Sequence, residues 1–190
     1  KFDFRKIDRV CFLAWDVGGA KYLYEKESQL SQLDSNIKLL TNVMPQLAAQ
    51  KTKFVFVSSQ LSEEETVYGV TKKLGELWSE LLGALSVRLW NAYGTVEPKS
   101  IRIHVISDFL YQAVKLGQIK MLTDGREWRQ FTHLSDICRG LHNAMTATKL
   151  NKHVYDVSSF EWVPIIEVAK LICRLTGARL TVGKKMGHST

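Results

Sequence analysis

Short runs of β-branched and aromatic residues alternate with longer amphipathic stretches from one end of the chain to the other, the pattern of an α/β fold built on a parallel sheet. Strands are predicted at Val10–Ala14, Phe54–Val57, Val87–Trp90, near Lys120–Leu122 and at His153–Val157, with a weaker one at Arg179–Val182. The uninterrupted Phe54-Val55-Phe56-Val57 suits a strand covered on both faces. Helices fit Gln32–Ala49, Val67–Leu82, Ser107–Leu116, Ser135–Thr146 and Pro164–Thr176. In the last, Ile165, Val168, Ala169, Ile172 and Leu175 recur at helical spacing, Pro164 suits the first turn and Gly177 the stop. The surroundings of the Lys120 strand, Ile119–Arg126, and the segment Gly183–His188 read as loops, and no repeat or linker interrupts the pattern.

The 190 residues are 45% hydrophobic, 24% charged and 10% aromatic, the composition of a globular chain. No apolar run approaches the ~20 residues that cross a bilayer, and the first residues lack the apolar core of a secretory signal, so neither membrane contact nor export is expected. Cys11, Cys138 and Cys173 are too few and too scattered for a metal knuckle or a disulfide framework, so no metal is expected and a reducing, cytoplasmic setting is. The net charge of +7 is uneven: residues 1–100 carry 13 basic and 12 acidic groups, residues 101–190 carry 13 and 7. The basic groups of the second half are dispersed, without the clustering and interleaved aromatics of a nucleic-acid face, so no nucleic acid is expected. A few cations aimed at a diphosphate produce the same surplus.

Tyr68 and Lys72 stand four apart, so on a helix they share a face, and a nearby ammonium favours phenolate and makes tyrosine a usable acid/base. The spacing alone decides nothing, because Tyr22/Lys26 and Tyr111/Lys115 repeat it. Context separates them. The middle pair follows a strand that ends in two hydroxyls, Ser58 and Ser59, and ligand-contacting groups in open α/β sheets gather at the carboxyl ends of strands. A helix-cap role for the serines is the competing reading. The next strand ends in Arg88-Leu89-Trp90-Asn91-Ala92-Tyr93-Gly94, again with polar groups at its carboxyl end.

Ser58-Ser59, Tyr68-x-x-x-Lys72, Arg88-x-x-Asn91-x-Tyr93-Gly94 and Arg129-Gln130-Phe131-Thr132-His133-Leu134-Ser135-Asp136, in that order, resemble the motifs of the extended short-chain dehydrogenase/reductases that act on nucleotide sugars. Upstream, Phe12-Leu13-Ala14-Trp15-Asp16-Val17-Gly18-Gly19 is similar to that family's strand and loop beneath the nicotinamide, and Asn36 falls where the family has a structural asparagine. The resemblance implies a Rossmann-like doubly wound parallel sheet, incomplete at its N-terminus, with a small C-terminal substrate-binding region. It divides the chain into the second half of a dinucleotide-binding domain, residues 1–100, and a mixed region, 101–190, from which a strand near 153–157 returns to the sheet.

By resemblance, Tyr68 is the acid/base, Lys72 holds the nicotinamide ribose and lowers the Tyr68 pKa, and Ser59 bonds the sugar hydroxyl, with Ser58 its alternate. Ala14, Trp15, Ser58, Tyr68, Lys72 and Trp90 line the NAD or NADP site. Asn91 and Arg129 hold a nucleoside-diphosphate sugar, the arginine through its planar fork; the competing reading of Arg129 is a surface ion pair. Asp136 is expected to cap the helix Ser135–Thr146. The implied activity is that of an NAD(P)-dependent epimerase or dehydratase, an isomerase or lyase, working as a homodimer through the Tyr68 helix. The other class is a non-catalytic member of the fold that serves as a binding or scaffolding module.

One part of the family pattern is missing: the 12 glycines include no Gly-x-x-Gly-x-x-Gly turn to receive a cofactor pyrophosphate at a helix N-terminus. Only eight residues separate Ser59 from Tyr68, where the family has a longer loop. Three accounts stay open: a piece of a longer protein, a natural remnant of the fold's second half, or a site completed by another chain. A sheet cut after its third strand exposes an apolar edge, which favours the first.

Overall fold

The computed structural model describes residues 3–4, 6–19, 22–23, 25–94, 103–149 and 151–187. The boundary expected at residue 100 and the end of the loop at His188 lie outside them. The described residues fall into two compact units, the first within Lys1–Val17, Lys21–Trp90 and Ser135–Val157, the second within Gly18–Ala20, Asn91–Leu134 and Ser158–Thr190.

The first unit is a four-stranded, all-parallel sheet of order β1-β2-β3-β7, formed by β1 (Arg9–Phe12), β2 (Lys53–Ser59), β3 (Leu85–Leu89) and β7 (Val154–Val157). Paired residues of parallel strands face the same way. The register therefore puts Phe12, Phe54, Phe56, Ser58 and Arg88 on one face, and Val55, Val57, Ser59, Leu85, Val87 and Val157 on the other. Helix α1 (Lys26–Ala49) packs Leu40, Met44 and Leu47 with Phe12, Phe54 and Phe56. Helix α2 (Val67–Leu81) joins it on that face, where a Cβ on Gly75 would come within 2.3 Å of the Phe56 ring. Helix α4 (Leu134–Thr146) brings Gly140 against Val157 on the opposite face, so the sheet is covered on both sides, as the unbroken apolar run of β2 requires.

The second unit holds a three-stranded sheet of order β4-β6-β8, from β4 (Asn91–Tyr93), β6 (Trp128–His133) and β8 (Trp162–Pro164), and the parallel pair β5 (Gln118–Lys120) and β9 (Arg179–Thr181). Helices α3 (Val105–Leu116) and α5 (Ile165–Thr176) share its core, around Phe109, Ile119, Met121, Ala169 and Ile172. Both helices end on a left-handed glycine, Gly117 and Gly177, at φ 65° and 74°.

Several elements differ from the sequence expectation. The first strand stops at Phe12, because the backbone turns there, Leu13 N donating to Cys11 O. Helix α1 begins six residues before Gln32, in a polar stretch that carries no apolar repeat. The strand expected near Lys120–Leu122 lies two residues earlier, directly after the Gly117 cap, and leaves Leu122 84% exposed. Strands β4, β6 and β8 were not expected. Helix α4 starts at Leu134, so Asp136 sits inside its first turn, paired with Arg139, instead of capping it. Among the described residues no helix is long and apolar enough to cross a membrane, and no group of acidic, histidine or cysteine residues could hold a metal.

Candidate active site

Strand β2 runs into a single 3-10 turn, Gln60–Glu63, whose cap is Ser59: its Oγ accepts from Leu61 N at 3.2 Å. The chain then enters α2 through Thr66, whose hydroxyl accepts from Gly69 N at 3.0 Å. Gly69 is required here, because a Cβ would fall 2.3 Å from Glu64 O and 2.4 Å from Leu61 O. The tight approach fixes the first turn of α2 beside the carboxyl end of β2, and Tyr68 and Lys72 are on that turn and the next. Both are buried, at 7% and 3% exposure.

Lys72 Nζ donates to Val57 O at 2.6 Å and sits 4.1 Å above the Trp15 ring and 5.9 Å from the Tyr68 ring. Trp15 is packed edge-on against Phe12 and Phe56, and its indole N–H is buried with no partner among the described residues. The loop carrying Trp15 is tied to α1 by Asn36, which accepts from Asp16 N at 2.8 Å and donates to Asp16 O at 3.1 Å. Ala14, in the same loop, is exposed. Burial dominates the electrostatics. It pushes the Tyr68 phenol up to about 12, against a hydrogen bond from Ser59 that favours the phenolate. It pushes Lys72 down to about 7, against the attraction of Glu76.

The two serines part company. Ser59 faces Tyr68, whereas Ser58 is on the α2 side of the sheet and donates its proton to Glu76 Oε1 at 2.6 Å. Trp90, at the carboxyl end of β3, donates its N–H to Asp156 at 2.8 Å. Asn91 and Arg129 belong to the second unit, where the register puts them on one face of the β4-β6-β8 sheet with Tyr93, Phe131 and His133. Asn91 Nδ2 donates to Gln130 O at 3.1 Å, and Arg129 Nη1 to Trp128 O at 2.8 Å. Of the other two Tyr–Lys pairs, Tyr22 bonds Asp16 and Lys26 is exposed, while Tyr111 is half-buried beside an exposed Lys115. Neither forms a buried pair.

Glu76 is the residue that sequence reasoning passed over, and Arg88 entered it only as a motif position, without a partner. Glu76 is 3% exposed and takes both the Nε and Nη2 of Arg88, at 2.7 and 2.8 Å. Burial raises its carboxyl, and hydrogen bonds from Arg88 and Ser58 outweigh that and leave it below the usual range. The signal was present: Tyr68, Lys72, Gly75, Glu76 and Ser79 make one buried stripe of α2, and a carboxylate on such a stripe needs a partner. A cleft of ≈ 420 Å³ opens at the other, amino ends of β2 and β3, lined by Arg9, Lys53, Val55, Leu85 and Met145 among others, away from this cluster.

The model of the NAD dependent epimerase/dehydratase family matches residues 2–158. The chain belongs to that family. It is 25% identical to a UDP-N-acetyl-alpha-D-glucosaminuronate decarboxylase of Bacillus cytotoxicus over 83% of its own length, and spans 56% of that enzyme's. Among solved structures, a UDP-glucuronic acid 4-epimerase from Bacillus cereus, in complex with UDP-glucuronic acid and NAD, superposes with a TM-score of 0.82 at 20% identity, over 98% of this chain and 65% of that one. A UDP-glucose 4-epimerase from Thermotoga maritima gives 0.81 at 19%, over 95% and 65%. These likenesses fix the fold as Rossmann-like.

The residues present fit the nicotinamide-ribose part of the dinucleotide named in the family's description. Lys72, Ser59 and Tyr68 offer three donors at the carboxyl end of β2, and the unpartnered indole N–H of Trp15 is a fourth, beside an apolar ring face. A nucleotide pyrophosphate finds no glycine-rich turn among the 190 residues.

Proposed function

We propose that the whole protein is an NAD(P)-dependent epimerase or dehydratase acting on a nucleoside-diphosphate sugar, with Tyr68 as its acid/base. The observation that carries this reading is the buried Ser59–Tyr68–Lys72 group, in a chain of this family. Lys72 and Tyr68 would hold the nicotinamide ribose, with Ala14, Trp15 and Trp90 beside the ring and Ser58 held beneath the site by Glu76. The chemistry such a cofactor supplies is the acceptance and return of a hydride. Tyr68 Oη takes the proton of the sugar hydroxyl as that carbon is oxidised, and gives it back when the carbon is reduced. Ser59 orients the hydroxyl. A Lys72 ammonium counters the charge that develops on the phenolate, lowering a phenol that burial, against the Ser59 hydrogen bond, holds at about 12.

Asn91 and Arg129 would bind the sugar nucleotide, the guanidinium taking two diphosphate oxygens at once. The named relatives carry UDP-sugars in their descriptions, which supports a uridine nucleotide. We further propose a homodimer, supported by the apolar side chains that α1 and α2 leave in water: Leu30, Val70, Leu77 and Leu81 are 50–85% exposed. The three cysteines are unpaired, which fits a cytoplasmic protein.

The test is direct. Denaturing the whole protein and searching the supernatant by mass spectrometry, followed by calorimetric titration of NAD and NADP, should find one of them bound. A protein that neither carries nor takes up a dinucleotide would overturn the enzyme reading.

A further inference from the structure

Glu76 stands one turn beyond Lys72 and two beyond Tyr68 on α2, with its carboxylate buried. Oε1 accepts from the Ser58 hydroxyl at 2.6 Å and from Arg88 Nε at 2.7 Å, and Oε2 accepts from Arg88 Nη2 at 2.8 Å. Ser58 and Arg88 are register partners on β2 and β3. One carboxylate thus joins the helix bearing the candidate acid/base to the carboxyl ends of both central strands. A buried ion pair is a costly way to hold a helix down, since apolar side chains of similar volume do it as well or better. Its retention at this place calls for something that apolar side chains lack, which is charge.

Lys72 is the neighbour that needs it. Its ammonium reaches a backbone carbonyl and an aromatic face, neither of which carries a formal charge. The groups around it are Glu76 on its own helix, Tyr68, the Trp15 and Phe56 rings and the Val57 carbonyl. Arg88 from β3, Glu63 from the 3-10 turn and Lys73 from α2 act on Glu76 in turn: Arg88 pairs with both glutamates, while Lys73 lies 2.9 Å from Glu63 and 3.6 Å from Glu76.

We propose that Glu76 is a positioning residue for the Tyr68–Lys72 pair, anchoring α2 across the ends of β2 and β3 and placing a buried negative charge one turn from Lys72. The assignment of a role in turnover rests on the function proposed above. The electrostatics agree: burial drives Lys72 down and Glu76 pulls it back up, leaving it at about 7. Without that pull Lys72 would titrate lower still, and the phenol would have an ammonium beside it over a narrower pH range.

The experiment is an NMR titration of protein carrying ¹³C,¹⁵N-lysine, with the Lys72 signal assigned by its loss in Lys72→Arg. In Glu76→Gln the Lys72 pKa should fall by about one pH unit or more, the scale for loss of a close opposite charge. Unfolding would move it the other way, toward the ordinary lysine value of about 10.4. An unchanged Lys72 pKa in folded Glu76→Gln overturns the proposal. Should that variant not fold, the reciprocal measurement decides. In Lys72→Gln the Glu76 carboxyl should titrate higher than in the parent by the same amount, because coupling is mutual, and an unchanged Glu76 overturns the proposal. A purely mechanical anchor would move stability and leave both titrations alone. Turnover is not the readout, so a shifted Lys72 alongside an active Tyr68→Phe variant would sink the function and leave the electrostatic role standing.

Discussion

In the first unit Lys72 and Glu76 are each 3% exposed, and their neighbours fix them from strand, helix and loop. The ion pairs among the second unit's described residues are wet, as Lys38–Asp34 and Arg139–Asp136 on the rim of the first unit are: Lys170–Glu167 has both partners about half exposed, and Arg126, beside Asp124, is 85% exposed. The contrast fits the two kinds of work proposed for them. Proton transfer needs one geometry and displaced pKa values, which burial supplies. Gripping a flexible anionic ligand needs reach and full charge, and a hydrated arginine keeps both.

The contrast can be broken by removing a charge from each unit. Glu76→Ala takes the acceptor from the buried Ser58 hydroxyl and leaves Arg88 only the exposed Glu63, and should cost about 3–5 kcal/mol in denaturant unfolding. Lys170→Ala should cost under about 1 kcal/mol in the same assay, as surface pairs do. Equal losses would erase the distinction.

A smaller effect sharpens it. Arg129→Lys should weaken sugar-nucleotide binding about tenfold, since an ammonium cannot make the bidentate contact, and leave dinucleotide binding in place. Calorimetric titrations with the two ligands separate these outcomes, and equal weakening of both would move Arg129 out of the sugar-nucleotide site.

The pH dependence of stability reads the burial of Lys72 by itself. The folded Lys72 titrates near 7 and the unfolded side chain at its ordinary value of 10.5, so between these the unfolded state holds more protons. Stability from this group is therefore gained as pH rises from 7 toward 10.5 and lost as pH falls back through 7. Tyr68 acts oppositely but only above 10, where its unfolded form begins to ionise. From pH 7.5 to 9.5 the parent should gain stability relative to Lys72→Met by up to about 1.4 kcal/mol per pH unit, read from urea midpoints. A flat difference would place Lys72 in water. The smallest expected effect is that of Tyr111→Phe, whose Lys115 neighbour is exposed, and its turnover should stay at the parent's level.

Legibility in the sequence follows the same divide. The unbroken apolar run of β2 and the apolar period of α5 announce themselves, because β2 is buried from Phe54 to Ser59 and α5 buries one face through Ile165, Ala169 and Ile172, and they end in a hydroxyl pair and a glycine. The resemblance brought Ser59, Tyr68 and Lys72 forward together, and the fold sets all three at one strand end. Strands β4 and β8 have three residues each, and β6 alternates without a clean apolar face. Their identity rests on what pairs with them, and no local propensity reports that. The choice between Ser58 and Ser59 turns on their partners, Glu76 for Ser58 and Tyr68 for Ser59, which only the packing of α2 against β2 supplies. Glu76 was overlooked because an acidic residue four after a lysine reads equally well as a surface pair until the helix face is known to be buried.

The central claim is that Tyr68, held by Lys72 and Ser59, moves the proton of the reaction. Turnover and dinucleotide affinity of Tyr68→Phe in the whole protein test it most directly. The account expects a fall of about 100-fold or more in turnover, the scale of a lost general acid/base, with cofactor binding close to the parent's because the ring still packs. Near-normal turnover in that variant would contradict it.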